Sequence, residues 1–123
     1  MNAEGVVAEF IAAVERGDID GAMGYLAQDA EYDNVPISKA HGHEEIRNVL
    51  GMFISPDNPA EFKVIRQAAS GNLVMNERVD RLTIAGKAIE LPVAGVFEVD
   101  AGTNKITLWR DYFDMGQMNA QMA

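Results

Sequence analysis

The sequence has no cysteine and only two histidines. Without cysteine there is no disulfide framework, no thiolate nucleophile and no zinc or iron–sulfur site with cysteine ligands. His41 and His43 form a His-x-His pair that suggests a metal site, but they precede a predicted helix beside two glutamates. A solvated helix start is the favoured interpretation, and we expect neither a metal nor a cofactor.

Basic residues and long apolar segments are also scarce. Ten lysines and arginines stand against nineteen aspartates and glutamates, which gives a net charge of −9. This charge repels nucleic acid and anionic membranes and favours a neutral or apolar ligand, although solubility alone would also explain it. No apolar run approaches the roughly 20 residues that cross a bilayer, and residues 1–4 contain no basic segment that leads into an apolar one. We expect a cytoplasmic protein that binds neither nucleic acid nor membranes.

Helical periodicity dominates the first half of the chain. Of the 123 residues, 48% are apolar and 24% are charged, which is typical of a folded domain. We therefore predict a single domain that covers residues 1–123. Apolar residues at helical spacing predict an amphipathic helix over 3–16. Asp18 is the predicted N-cap of a second, short helix, and a third helix is predicted over 42–53. The segment 28–36 is predicted to be irregular or extended.

Strand periodicity dominates the second half. Four β-rich runs are separated by turns so short that consecutive strands must be antiparallel neighbours. They cover 61–69, 72–84, 88–100 and 105–113, and a short helix is predicted over 115–123. This order indicates an α+β domain with N-terminal helices on the concave face of a curved, mixed, mainly antiparallel sheet. It fits the cone-like fold of nuclear-transport-factor-2-like proteins, which surround a deep apolar pocket and serve many functions.

The run over 72–84 places charged residues on one face of its strand. Arg78 and Asp80 share that face with Val74 and Leu82, but the opposite face is mixed as well. Periodicity in this run alone therefore leaves two interpretations open, a surface ladder and an inward-facing ion pair.

The final strand favours the inward interpretation. Trp109 and Phe113 are core candidates, and Asp111 lies between them on the same face. A buried carboxylate among aromatic rings costs several kcal/mol unless it is paired. Arg78 is the natural partner, because its planar fork of donors can hold both Asp111 and Asp80. The predicted pattern is carboxylate, guanidinium and carboxylate inside a pocket.

Tyr32 and Asn34 lie on one side of the extended segment. A phenol and a carboxamide at this spacing can hold one water from two directions, with Asp111 as a third partner. The Tyr-x-Asn spacing alone is a weak signal, because it is common in loops.

Together these residues resemble the five-residue site of limonene-1,2-epoxide hydrolases. Tyr32-x-Asn34, Arg78-x-Asp80 and Asp111 occur in the same order and at similar intervals, and the run Trp-Arg-Asp-Tyr-Phe-Asp around Asp111 is the most specific part. The likeness covers nearly the whole chain. One departure is that the sequence begins almost directly at the first helix, without the leading segment of the founding enzyme.

The resemblance implies a catalytic domain that hydrolyses a small apolar epoxide of the terpene or cycloalkene type to a vicinal diol, in one step and without a cofactor. Asp111, Tyr32 and Asn34 would hold a water, and Asp111 would take its proton. Protonated Asp80 would donate to the epoxide oxygen while Arg78 bridges the two carboxylates. Two adjacent carboxylates in an apolar site share a proton at neutral pH.

Several apolar positions are core residues first and expected pocket residues second: Phe53, Leu82, Val93, Trp109 and Phe113. Two rival functions use the same fold. One is an isomerase or polyketide cyclase, which would need donors for an oxyanion, and the other is a non-enzymatic binder of an apolar ligand in which the ions form only a buried network. The two carboxylates with an arginine between them favour the hydrolase.

The outer face of the sheet mixes apolar and charged residues. Met75, Val79, Leu108 and Tyr112 lie on the face opposite the site. This composition is typical of a partly covered surface, and relatives pair in this way. We therefore predict a homodimer.

Overall fold

The computed structural model describes all residues, Met1–Ala123, and contains four helices and six strands. The helices are α1 (Ala3–Glu15), α2 (Ile19–Met23), α3 (Gly42–Gly51) and α4 (Met115–Met122). The strands are β1 (Leu26–Asn34), β2 (Ser38–His41), β3 (Glu61–Ser70), β4 (Leu73–Ile84), β5 (Lys87–Asp100) and β6 (Lys105–Tyr112). None of the helices has the length and apolar character that crossing a membrane requires.

Helix α1 ends one residue before the predicted end, and α2 begins directly after its predicted N-cap. Asp18 is confirmed as the N-cap of α2, since its side chain accepts a hydrogen bond from the backbone N–H of Gly21 at 2.9 Å. Between the helices, Gly17 has a φ of +71°, and a Cβ there would lie 2.3 Å from the carbonyl oxygen of Ser55. This position therefore requires glycine for both its backbone conformation and its close packing. The third helix is shorter than predicted, because α3 ends at Gly51.

The six strands form one sheet in the order β2-β1-β6-β5-β4-β3. Strands β3 to β6 form the predicted antiparallel meander. The sheet is mixed because β1 pairs with β6 in parallel, which brings the first strand of the chain beside the last. Most of the segment predicted as irregular or extended lies in β1, whose register with β6 shifts between Leu26 and Glu31. Strand β2, which pairs with β1, is an addition to the predicted elements.

The core lies between α1 and the concave face of the sheet. Buried residues alternate with exposed ones along β5, and the largest apolar cluster contains Phe10 of α1, Phe97 of β5 and Trp109 of β6. A smaller cluster of Ile89, Leu91 and Val93 packs against α4. The fold class is therefore the predicted α+β arrangement, with helices packed on a curved, mainly antiparallel sheet.

Only four polar or charged residues are buried, and all four lie on the inner face of the sheet. They are Asn76, Arg78, Asp80 and Asp111. Burying charged groups is costly unless they are paired, so this group marks the part of the core where function is to be sought.

Candidate active site

Arg78 joins two carboxylates inside the sheet. Its Nε donates to Oδ1 of Asp80 at 3.0 Å and its Nη2 to Oδ2 of Asp80 at 2.9 Å, which makes a side-on pair. The same Nη2 donates to Oδ2 of Asp111 at 2.9 Å. The Arg78 side chain is fully buried and the two carboxylates nearly so. The surface-ladder interpretation is therefore wrong, and the inward interpretation is the correct one.

Gly95 makes this arrangement sterically possible. Strand β5 separates β4 from β6, so the Arg78 guanidinium must cross it to reach Asp111. A Cβ on Gly95 would lie 2.4 Å from Nη1 of Arg78 and 2.9 Å from Oδ1 of Asp111. Real Cβ atoms do not approach that closely, and the guanidinium passes over the bare backbone. The sequence reasoning missed Gly95, whose only signal is a glycine in the middle of a strand.

Trp109 supports the second carboxylate from behind. Its indole Nε1 donates to Oδ1 of Asp111 at 3.0 Å. Its ring stacks on Tyr32 with 3.7 Å between the ring centroids and 8° between the planes. Trp109 does not line the cavity, contrary to expectation, because it is enclosed in the aromatic core with Phe10 and Phe97.

Tyr32 and Asn34 reach the same site from β1. The parallel register places Tyr32 beside Trp109 and Asn34 beside Asp111. Both residues line the cavity that Asp80 and Asp111 also line. The structure thus brings the five polar residues singled out in the sequence into one place.

The cavity has a volume of about 80 Å³ and a mainly apolar wall. Four of the expected pocket residues line it, namely Phe53, Leu82, Val93 and Phe113. Five further lining residues were not expected: Ile37, Phe62, Ile84, Leu91 and Met118. Phe62 also covers the guanidinium, with the Cζ of Arg78 4.9 Å from its ring centroid. Ile37 and Met118 come from the β1–β2 connection and from α4, and strand alternation gives no signal for either.

The electrostatics of the site favour a protonated Asp80. Burial raises the pKa of Asp80 above its usual range, and the negative charge of Asp111 acts in the same direction. The hydrogen bonds and charge of Arg78 oppose this shift without cancelling it. Burial also raises the pKa of Tyr32 far above its usual range, so its hydroxyl keeps its proton. Burial alone would lower the pKa of Arg78, but the two carboxylates outweigh it and keep the guanidinium charged.

The two histidines lie outside this site. His41 is exposed at the start of α3, as expected. His43 is half-buried rather than solvated, because its Nε2 donates to the carbonyl oxygen of Leu26 at 2.9 Å. No group of three histidine, aspartate or glutamate side chains has the arrangement of a metal site.

Comparisons with known proteins agree with this geometry. The sequence profile of the limonene-1,2-epoxide hydrolase catalytic domain matches residues 1–123. Epoxide hydrolase EphG of Mycobacterium tuberculosis is 38% identical over 112 residues, which are 91% of this chain and 73% of that protein. The structure of an M. tuberculosis epoxide hydrolase described as limonene-1,2-epoxide-hydrolase-like superimposes with a TM-score of 0.81. It is 34% identical, and the match covers 97% of this chain and 87% of that one.

The fold is shared more widely than the sequence. A nuclear-transport-factor-2-like protein of unknown function from Cytophaga hutchinsonii superimposes with a TM-score of 0.75 at 20% identity. That match covers 97% of this chain and 96% of that chain. At this identity the likeness concerns the fold alone, and it confirms the predicted nuclear-transport-factor-2-like architecture.

The raised pKa of Asp80 predicts a pH-dependent stability difference. A carboxyl whose pKa is higher in the folded than in the unfolded protein stabilises the fold fully at low pH. That contribution falls as the pH rises from the unfolded pKa to the folded one, by about 1.4 kcal/mol for each pH unit that separates them. Asp80→Asn removes the titration, so we expect the variant to gain stability relative to the wild type as the pH rises above about 4. Urea unfolding of both proteins at a series of pH values measures the difference.

The matched control is Asp57→Asn, which changes an exposed carboxylate without a hydrogen-bonded partner. Its stability relative to the wild type should show no comparable rise with pH. A stability difference between wild type and Asp80→Asn that stays constant with pH, or moves in the opposite direction, would contradict the raised pKa of Asp80.

Proposed function

The chain belongs to the limonene-1,2-epoxide hydrolase family and is an epoxide hydrolase, and on this premise we propose that Asp80, Arg78 and Asp111 add water to a small apolar epoxide in one step. The product is a vicinal diol, and no covalent bond to the enzyme forms. The observation that carries the proposal is the pair of carboxylates joined by a buried arginine in the wall of an apolar cavity.

Asp80 is the proposed acid. Opening an epoxide leaves negative charge on its oxygen, and a proton donated there lowers the barrier. Burial raises the pKa of Asp80, which favours the protonated form that an acid needs. Apolar residues around it, among them Leu82 and Val93, offer a surface for the hydrocarbon part of a terpene or cycloalkene oxide.

Asp111 is the proposed base. Its Oδ1 accepts from Trp109 and its Oδ2 from Arg78, and each oxygen keeps a lone-pair direction for a further donor. A water held by Asp111, Tyr32 and Asn34 would transfer a proton to Asp111 as its oxygen attacks an epoxide carbon. The carbon–oxygen bond of the ring breaks, and the released oxygen takes the proton of Asp80. The reaction leaves Asp111 protonated and Asp80 ionised, so one proton must return to Asp80 before the next turnover.

Family membership, and not the set of donors, favours the hydrolase over an isomerase or cyclase. Isomerases and cyclases need hydrogen-bond donors for an oxyanion, and the Tyr32 hydroxyl and a protonated Asp80 would both offer one in this cavity. The arginine shared by two carboxylates agrees with an enzyme that holds the two acids in different protonation states.

Diol formation tests the proposed function and the roles together. We expect the wild type to convert a terpene or cycloalkene oxide to its diol. The rate should fall by a factor of about 10²–10⁴ in each of the variants Asp80→Asn, Asp111→Asn and Arg78→Ala. The double variant Asp80→Asn/Asp111→Asn should be little worse than either single one, because residues that act as a unit do not add. Chiral chromatography of the products gives rate and selectivity, and circular dichroism checks the fold.

Asp29→Asn, at an exposed position of β1, is the matched control and should keep the wild-type rate. A site variant that retains more than about a tenth of wild-type turnover would remove that residue from its role. No diol from any epoxide of the panel would contradict the proposed substrate class.

The origin of the diol oxygen separates direct attack from an ester mechanism. In a single turnover in ¹⁸O-water, with enzyme in excess, we expect the label in the diol. An aspartate nucleophile would instead give an unlabelled first diol and leave the label in the protein. Asp111 used as nucleophile would leave the attacking water without the base that Tyr32 and Asn34 flank. An unlabelled first-turnover diol would therefore rule out the proposed mechanism even for an active epoxide hydrolase.

We further propose that two copies of the chain pair through the outer face of the sheet. Met75 and Tyr112 are about half exposed there, and Val79 and Leu108 lie half-buried on the same face. Strand β5 lies between β4 and β6 and fills the gap on this face, because its Val96 pairs with Met75 and its Ala94 with Tyr112. A twofold axis through this patch makes an interface that closes on itself.

Light scattering over a dilution series measures this assembly. We expect a dimer for the wild type and a monomer for Met75→Glu, because a desolvated carboxylate on the patch disfavours pairing. Met52→Glu, at an even more exposed position near the end of α3, is the control and should remain a dimer. A wild-type protein that is monomeric at every concentration would contradict the proposal.

A further inference from the structure

A chain of side-chain hydrogen bonds approaches Arg78 from the side away from the two aspartates. Nη1 of Arg78 donates to Oδ1 of Asn76 at 3.1 Å. Nδ2 of Asn76 donates to Oε1 of Gln67 at 3.2 Å, and Nε2 of Gln67 donates to Oε2 of Glu4 at 3.4 Å. This series of hydrogen bonds therefore connects the first turn of α1, through β3 and β4, to the guanidinium.

Every donor in this chain points outward from Arg78. An arginine offers only donors, so the amide of Asn76 must present its oxygen to Nη1. Its NH₂ group is then left for Gln67, which must present an oxygen in turn. Glu4 accepts the NH₂ of Gln67 and ends the chain with a group that has no donor to offer. One orientation of both amides satisfies all the partners, so the amide of Asn76 is fixed in direction.

A β-bulge in β3 puts Gln67 in the correct place. The register between β3 and β4 shifts by one residue between Val64 and Arg66. Without the shift, alternation would turn Arg66 inward, opposite Asn76. With it, Gln67 pairs with Asn76 on the inner face, while Arg66 pairs with Glu77 at the exposed surface at 2.5 Å. The bulge thus supplies a neutral amide where regular pairing would supply a second cation.

The guanidinium needs this contact to be fixed in its plane. Asp80 holds it side-on through Nε and Nη2, and Asp111 holds Nη2 alone. Nη1 is the remaining corner, and Asn76 is the residue that accepts from it. Because Asn76 is neutral, the single positive charge of Arg78 is shared by two carboxylates and not by three.

We propose that Asn76 is a positioning residue that, held by Gln67, fixes the Arg78 guanidinium and reserves its charge for the Asp80–Asp111 pair. The inference rests on the proposed function of that site. Asn76 does not line the cavity, so it would act on the reaction through Arg78. Two consequences follow: a charge at position 76 changes the proton affinity of the pair, and loss of the amide lowers turnover more than substrate binding.

The first consequence is tested without turnover, by ¹³C-carboxyl NMR titration. Asn76→Asp is nearly isosteric and adds a third carboxylate to Arg78, so we expect the titration that involves Asp80 to move upward by about one pH unit. The signal is assigned by its absence in Asp80→Asn. Asn48→Asp is the matched control, since it adds the same charge at an exposed position of α3, and its titration of the pair should coincide with the wild type. Coincidence of the Asn76→Asp and Asn48→Asp titrations would overturn the proposal.

The second consequence is tested by kinetics on the epoxide that the wild type hydrolyses. Asn76→Leu should lower kcat about tenfold with less than a twofold change in KM, because a misplaced catalytic group costs rate. Gln67→Leu, which frees the amide of Asn76 to turn, should lower kcat in the same direction by a smaller factor. In Asn76→Asp the alkaline limb of the kcat/KM profile should move upward with the NMR titration.

The results also separate this proposal from the proposed function. If the wild type makes no diol, the proposed substrate class and mechanism fail, while the NMR titration still decides whether Asn76 sets the proton affinity of the pair. If the wild type is active and Asn76→Leu, folded by circular dichroism, keeps more than half of kcat, the positioning role is overturned. If Asn76→Leu does not fold, Asn76→Asp decides alone, since an unchanged alkaline limb overturns the proposal and a raised one supports it.

Discussion

A buried guanidinium sets the requirements that the strands around the site must meet. Arg78 has no exposed surface, and a desolvated cation costs several kcal/mol unless its donors meet acceptors. Asp80 accepts from Nε and Nη2, Asp111 also accepts from Nη2, and Asn76 accepts from Nη1. These partners lie on β4 and β6, so the intervening strand must let the arginine pass. Gly95 makes the crossing possible, because a Cβ at this position would overlap the guanidinium.

The same charge balance connects packing to chemistry. One cation between two carboxylates leaves an excess negative charge in a mainly apolar wall, and burial favours holding a proton on Asp80. A carboxyl whose pKa is raised by burial weakens the fold at neutral pH relative to an uncharged substitute, which is a common cost of a functional site. Trp109 shows how the core serves the site, because one side chain packs among aromatic rings, stacks on Tyr32 and donates to Asp111.

Strand alternation predicts the meander and the inward direction of the charged residues, because both follow from local periodicity. The four strand runs agree with β3 to β6 to within one residue at each end. Alternation fails where contacts are not local. β1 is short of apolar residues and is stabilised by parallel pairing with residues 77 to 80 positions later in the chain. β2 depends on β1 in turn. The expectation that Trp109 lines the cavity is wrong because alternation gives the face of a side chain but not its depth in the core.

The family, the α+β class and the five polar residues could be predicted from the residue types and their spacing, because each pair or run lies within one strand or one short segment. The hydrogen-bond partners of those residues could not, because they depend on how the strands pair in three dimensions. The register between strands sets three features of the site: the crossing of β5 at Gly95, the bulge that places Gln67 rather than Arg66 opposite Asn76, and the amide of Asn76 on Nη1. Register is set by the packing of the whole sheet against α1 and by the pairing of distant segments, and a single strand read alone does not contain it.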